Sequence, residues 1–252
     1  MTWALHIKER SGTTAKKKND MSIKKHIPNS ITCCNLFSGC IACTMAFEGQ
    51  YVWALTFIVL GAVFDFFDGM AARLLHVSSP MGVEMDSLAD DVTFGFAPAA
   101  IVFNFMHQLA YPTYLGPIAN LLPYAAFFIA VFSAVRLAKF NIDTRQTTSF
   151  IGLPTPANAL FWASLVAGAG DWVLSLNAGW FFMLALIILS SYLLVSEIKM
   201  FSLKFKRLAW RANRRRYIFL LVALPMLSLG LVAAVPIIAW YVILSVYLSV
   251  KK

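Results

Sequence analysis

The chain has 252 residues, 60% of them hydrophobic and 13% charged, with a formal net charge of +9. Soluble domains carry about 25% charged residues, so this composition excludes an ordinary water-soluble fold and describes a polytopic membrane protein. The excess of Lys and Arg is then read through its placement along the chain rather than as a nucleic-acid footprint.

Residues 1–26 are polar and basic, with no short apolar core ending in a small-residue cleavage site, so they do not read as a secretory signal. The stretch MTWALHIKERSGTTAKKKND reads as a dispensable tail, and Met21 as a natural start ahead of the first span. Spans of roughly 20 mostly apolar residues fall at 29–47, 51–74, 87–109, 119–139, 156–175, 179–197, 217–233 and 235–250. This predicts an all-α membrane bundle of about eight helices, a six-helix core plus a C-terminal pair; six spans and a long re-entrant segment is the alternative. The divisions are a cytoplasmic basic tail (1–26), a membrane core (27–198), a basic loop (199–216) and a C-terminal hairpin (217–252). Pro112, Pro117, Pro123, Pro154, Pro156 and Pro236 fall at or near helix ends, where proline is tolerated. Cys33, Cys34, Cys40 and Cys43 share one apolar segment with no metal-ligand pattern, and read as small packing residues.

With the N-terminus in the cytoplasm and the spans alternating, all 21 Lys and Arg residues fall on the cytoplasmic side. The positive-inside rule therefore places both termini in the cytoplasm, in a prokaryotic inner membrane. The cluster KMFSLKFKRLAWRANRRR is a topology determinant that also suits anionic headgroups.

Six of the twelve acidic residues lie in FDFFDGMAARLLHVSSPMGVEMDSLADD, residues 64–91. Asp65 and Asp68 are three apart near the cytoplasmic end of the second span; Asp86 and Asp90 are four apart at the start of the third. Each spacing puts a pair on one helix face. With the turn centred near Ser78, both pairs reach similar depth at about 1.5 Å per residue. An ionised Asp at a bilayer centre costs roughly 2.5–3.5 kcal/mol, and four facing carboxylates repel. One or two divalent cations offset that repulsion, and oxygen-only ligands suit Mg²⁺ or Mn²⁺. Asp91 lies off the shared face and Glu84 in the turn, so both read as solvated charges. Gly69 and Ala72 let a ligand approach, Gly82 relaxes the start of the third span, and Arg73 suits a phosphate. These are the parts phosphoryl transfer needs.

Asp65-x-x-Asp68-Gly69-x-x-Ala72-Arg73, eight residues, then Gly82-x-x-x-Asp86-x-x-x-Asp90 resembles the signature of the CDP-alcohol phosphatidyltransferases at every fixed position. The upstream PNSITCCN is similar to the family's approach to its first span, through Pro28, Asn29, Thr32 and Asn35. The resemblance implies a helical homodimer and metal binding by Asp65, Asp68, Asp86 and Asp90, with Asp90 also the general base. It also implies CDP-lipid binding by Gly69 and Arg73, with Ala72, Gly82, Thr32 and Asn35.

Further on, AVRLAKFNIDTRQTTSFIGLPTPANALF is similar to the phosphatidylserine synthase branch of that family, departing from it at Lys139, often Arg there, and at Asn158, where the branch has Ala. The branch implies that a phosphatidyl group passes from CDP-diacylglycerol to the hydroxyl of L-serine, giving phosphatidylserine and CMP. Arg136, Lys139 and Asn141 end the fourth span and would hold the serine carboxylate; flanking charges that snorkel to water are the plainer account. Gly152, Pro154 and Pro156 shape either a closing loop or a helix-initiating turn. Two other readings stand: the same family with glycerol 3-phosphate or inositol phosphate as acceptor, and a divalent-cation transporter, which would place its carboxylates nearer the midplane on paired repeats.

Overall fold

The computed structural model describes residues 26–77, 79–143, 150–201 and 210–250. The basic tail up to residue 25, the turn centre Ser78, Arg145, the middle of the basic loop and the last two lysines lie outside these residues.

Eight helices make up the described chain. Helix α1 is His26–Phe47 and α2 is Tyr51–Leu74. They are joined by a tight turn in which Gly49 takes φ +73°, a left-handed conformation that glycine adopts without a Cβ penalty. Helix α3 is Pro80–Met106 and α4 is Thr113–Ile142. Helices α5 (Thr155–Ser175) and α6 (Gly179–Val195) follow. A C-terminal pair, α7 (Trp210–Met226) and α8 (Ala234–Val250), closes the chain. The 22-residue α1 and the 24-residue α2 are about 33 and 36 Å long at 1.5 Å per residue, enough to cross a hydrocarbon core of about 30 Å. By length and composition α1 to α4 can each cross a membrane, and α6, α7 and α8 are shorter apolar helices. The protein is an all-α integral membrane bundle.

Three helices begin a full turn or more earlier than the sequence suggests. Helix α3 starts at Pro80 rather than 87, because Ser79 caps it: its hydroxyl accepts the Gly82 N–H at 3.0 Å, and proline occupies the first turn. This start draws Glu84 into a helix, where it stays exposed, rather than into a turn. Helix α4 starts at Thr113 as a 3₁₀ segment running to Ala126, containing Pro117 and Pro123 and bent at Gly116; proline removes the N–H donors that regular α-helix needs. Helix α7 starts at Trp210, extending into the basic segment.

Helix α3 is the central element. Its second half buries Ala97, Pro98, Ala99, Ala100, Ile101, Val102, Phe105 and Met106. Large apolar side chains such as Phe37, Trp53, Phe66 and Phe181 are exposed, as lipid-facing groups are. The buried face of α1 carries Thr32, Asn35, Ser38, Gly39, Ala42 and Ala46. The spacing of three and four that selects this face puts the cysteines elsewhere. Cys33, Cys34 and Cys40 are exposed, whereas Cys43 is partly buried and packs against the core, so of the four expected packing residues only Cys43 touches the core.

The segments that flank α5 and α6 on their shared side pair as a two-residue antiparallel ladder, β1 (Phe150–Ile151) with β2 (Lys199–Met200). Gly152 continues this clip with φ +76°, and a side chain there would collide with the Leu194 carbonyl. The α7–α8 hairpin packs its turn against α5, where Ser164 Oγ donates to the Leu231 carbonyl.

Candidate active site

The ends of α2 and α3 meet through their carboxylates. One oxygen each from Asp65, Asp68 and Asp86 lies within 4.8 Å of the others. The electrostatic influences on Asp65 and Asp86 come from neighbouring aspartates, and Asp86 Oδ1 is buried without a hydrogen-bond partner among the described residues. Three converging carboxylates with an unpartnered buried oxygen leave a negative charge that the described protein does not neutralise. That donor set of hard oxygens fits a divalent cation. The geometry therefore brings together three of the four aspartates expected to bind metal. Asp90 stands next to them, in electrostatic contact with Asp65, Asp86 and Asp68, but its Oδ1 accepts from Asn35 Nδ2 at 3.1 Å.

Helix α1 holds this acidic group from behind. Thr32 Oγ1 donates to Asp68 Oδ2 at 2.6 Å, so both Thr32 and Asn35 act on aspartates. Asn35 is fully buried, and its own carbonyl accepts from Thr93 Oγ1 at 3.1 Å. Thr93 lies in a π-helical turn, Asp91–Phe96, within α3. Such one-turn widenings break regular spacing and often mark functional sites. Thr93 in turn occupies the space left by Gly39 on α1 and Gly61 on α2, where any Cβ would collide with it. Thr93 continues the four-and-three spacing of Asp86 and Asp90, but as an uncharged residue in an apolar run it was not singled out, nor were Gly39 and Gly61, whose role shows only in the close approach of α1 and α2 to it.

The same π-turn corrects the reading of Asp91 as a solvated charge. Its Oδ1 is buried without a partner among the described residues. It lies over Gly95, 2.7 Å from where a Cβ would be, with Ser133 of α4 on the other side. The missing side chain at Gly95 makes room for that carboxylate inside the α3–α4 contact.

In front of the aspartates is a cavity of about 170 Å³, lined by Pro28, Asn29, Thr32, Asp68, Gly69, Ala72, Gly82 and Asp86 among others. A Cβ on Gly69 would meet nothing within 4 Å, so this glycine leaves the cavity open. Arg73 is exposed and outside the lining, its Nε bonded to the Gly69 carbonyl at 2.8 Å.

A second cavity, about 310 Å³, is lined by Arg136, Lys139, Ile142, Asp143, Ile151 and the segment 194–197. Arg136 is 7% exposed, donates from Nη1 to Thr155 Oγ1 at 3.3 Å and lies 5.1 Å over the Phe140 ring. Its Nε has no hydrogen-bond partner among the described residues, and it interacts electrostatically with Asp90. Asn141 is placed differently: it is exposed and donates to Ser87 Oγ at 2.8 Å, tying α4 to α3.

The pattern of the CDP-alcohol phosphatidyltransferase family matches residues 25–193, which takes in α1 to α5, α6 but for its last two residues, and all of the first cavity's lining. The chain belongs to this family. Among curated CDP-alcohol phosphatidyltransferases, it is 34% identical over 224 residues to the CDP-diacylglycerol–serine O-phosphatidyltransferase of Helicobacter pylori, covering 88% of this chain and 87% of the relative. It is 38% identical over 131 residues to the protein of that name from Bacillus subtilis, covering 52% and 70% of the two chains. It is 32% identical over 234 residues to that from Mycobacterium leprae, covering 88% and 72%. Membership makes the chain a transferase of phospholipid biosynthesis, and its acidic trio is the place where a divalent metal could bind.

Proposed function

We infer that this protein transfers a phosphatidyl group from CDP-diacylglycerol to the hydroxyl of L-serine, releasing CMP and forming phosphatidylserine at the cytoplasmic face of a prokaryotic inner membrane. One observation carries the reading. Asp90 interacts electrostatically both with the acidic trio, whose carboxylate oxygens converge within 4.8 Å, and with the buried Arg136. The similar relatives named for serine transfer support the choice of acceptor.

Asp65, Asp68, Asp86 and Asp90 would hold Mg²⁺ or Mn²⁺, two ions in the fullest form of the reading. Bound there, the metal would supply charge neutralisation at the diphosphate and the departing CMP. Gly69, Ala72 and Gly82 leave space for the CDP group, with Thr32 and Asn35 holding the aspartates behind it and Arg73 available at the rim. The acyl chains stay in the bilayer. Arg136, with Lys139, receives the serine carboxylate through a guanidinium fork that suits a planar anion. Asp90 Oδ2 takes the proton of the serine hydroxyl, whose oxygen attacks the lipid-side phosphorus as the bond to CMP breaks. The working unit is a homodimer, as the family resemblance implies, with both termini in the cytoplasm, where all 21 Lys and Arg residues would lie.

The deciding experiment supplies purified protein with CDP-diacylglycerol and labelled serine, glycerol 3-phosphate or inositol phosphate, with and without Mg²⁺ or Mn²⁺. Label should enter lipid from serine alone, with CMP released in equal amount and only with metal. Incorporation of another alcohol in place of serine would reject the acceptor. Cation uptake without CMP release would reject the enzyme in favour of a transporter.

A further inference from the structure

The C-terminal helix pair lies beyond the stretch that matches the family pattern, and nothing above gives it a task. Two aromatic side chains of the pair are buried, Phe219 on α7 and Tyr241 on α8, 5% and 7% exposed. The Tyr241 hydroxyl donates to the Phe201 carbonyl at 3.0 Å. Its ring packs on that of Phe201 at 4.9 Å and on Phe219 of α7 at 6.0 Å.

Phe201 directly follows β2, whose Met200 is fully buried. Strand β2 pairs with β1; Gly152 N–H continues the pairing to the Ile198 carbonyl at 3.0 Å, and Leu153 N–H bonds the Leu193 carbonyl in the last turn of α6 at 2.9 Å. Ile151 from one arm of this clip, and Leu194 to Glu197 leading into the other, form the wall facing Arg136 and Lys139. Tyr241 is also within electrostatic reach of Arg136. A bare two-residue ladder is a weak element on its own, since even a full two-stranded hairpin is marginal in water. The clip therefore depends on what packs behind it.

We propose that Tyr241 is a positioning residue for the acceptor: its hydroxyl pins Phe201 and so holds the β1–β2 clip as the wall of the Arg136 cavity. The C-terminal helix pair thereby sets acceptor affinity without touching either substrate. This rests on the reading of that cavity as the acceptor pocket.

The test is Tyr241→Phe in the full chain, which keeps the ring packing and removes only the hydroxyl. Losing one neutral hydrogen bond should raise the serine KM about fivefold. The KM for CDP-diacylglycerol and the kcat at saturating serine should stay unchanged. Hydrogen exchange at the Gly152 and Leu153 amides should quicken in the variant, with the amides of α2 and α3 unaffected. Unaltered exchange at Gly152 and Leu153 would overturn the proposal. So would faster exchange with an unchanged serine KM, or a loss shared by both substrates. If wild-type protein releases no CMP with serine, or if Arg136→Ala leaves the serine KM unchanged, the acceptor reading fails. The exchange measurement still decides whether Tyr241 holds the clip.

Discussion

Thr32 on α1 donates a 2.6 Å hydrogen bond to Asp68 on α2, so the first helix orients a carboxylate that the second presents to the cavity. Bonds of this kind, one step behind the groups that face a metal, typically change metal affinity 10- to 100-fold when removed. Thr32→Val keeps the shape and deletes the donor. It should raise the Mg²⁺ or Mn²⁺ concentration needed for half-maximal CMP release about tenfold, with little change in kcat at saturating metal. A metal titration of the variant beside wild type checks this; superimposable curves would remove Thr32 from any role at the metal.

Asn35 makes the parallel contact to Asp90, and Thr93 fixes the backbone of Asn35 in turn. If Asp90 is the base, Asp90→Asn should abolish turnover while sparing donor binding, because the amide keeps the shape and cannot accept the proton. Asn35→Leu should retain some turnover but lower kcat about tenfold, the order expected when a charge-assisted hydrogen bond worth about 1.5–3 kcal/mol is lost. Single-turnover rates with pre-bound CDP-diacylglycerol separate the two. Full activity of Asp90→Asn would refute the base assignment.

The eight helices and the convergence of Asp65, Asp68 and Asp86 were legible because they depend on periodicities the sequence carries openly. Runs of apolar residues set the spans, and spacings of three and four set the faces of Asp65, Asp68, Asp86 and Asp90. What escaped was what breaks those periods. Asp91 opens the π-turn Asp91–Phe96 and sets its buried Oδ1 against Gly95. No spacing rule reports an inserted residue within a helix. The clip was equally hidden: Gly152 and the prolines after it fit a helix-initiating turn as well as a ladder, and the partner strand lies beyond α6. Cys33, Cys34 and Cys40 were misplaced for a simpler reason, since a small apolar residue suits a lipid-facing position as well as a core.

Two glycines of α2 should answer substitution in opposite ways. A Cβ at Gly61 would collide with Thr93, so Gly61→Ala should lower the melting temperature, with overpacking costing about 1–3 kcal/mol. A Cβ at Gly69 meets nothing within 4 Å and enters the cavity. Gly69→Leu should therefore leave the melting temperature near wild type while raising the KM for CDP-diacylglycerol. Thermal unfolding in detergent, paired with donor kinetics, resolves the contrast. A stable Gly61→Ala or an unaltered donor KM in Gly69→Leu would contradict the packing described here.

Arg136 offers the most direct trial of the acceptor reading. It is buried, its Nη1 is spent on Thr155, and its Nε has no hydrogen-bond partner among the described residues. An unpartnered donor on a buried guanidinium is costly unless an anion completes it. If that anion is the serine carboxylate, Arg136→Ala removes the fork and Arg136→Lys keeps the charge without it. Charge-assisted hydrogen bonds are worth about 1.5–3 kcal/mol, so Arg136→Ala should raise the serine KM by one to two orders of magnitude while the donor KM holds. Arg136→Lys should recover only part of this, because a lysine ammonium cannot make a bidentate pair. Were Arg136 instead only a flanking charge of α4, both variants would leave the serine KM where it was. Steady-state kinetics varying serine at saturating CDP-diacylglycerol and metal tell these outcomes apart.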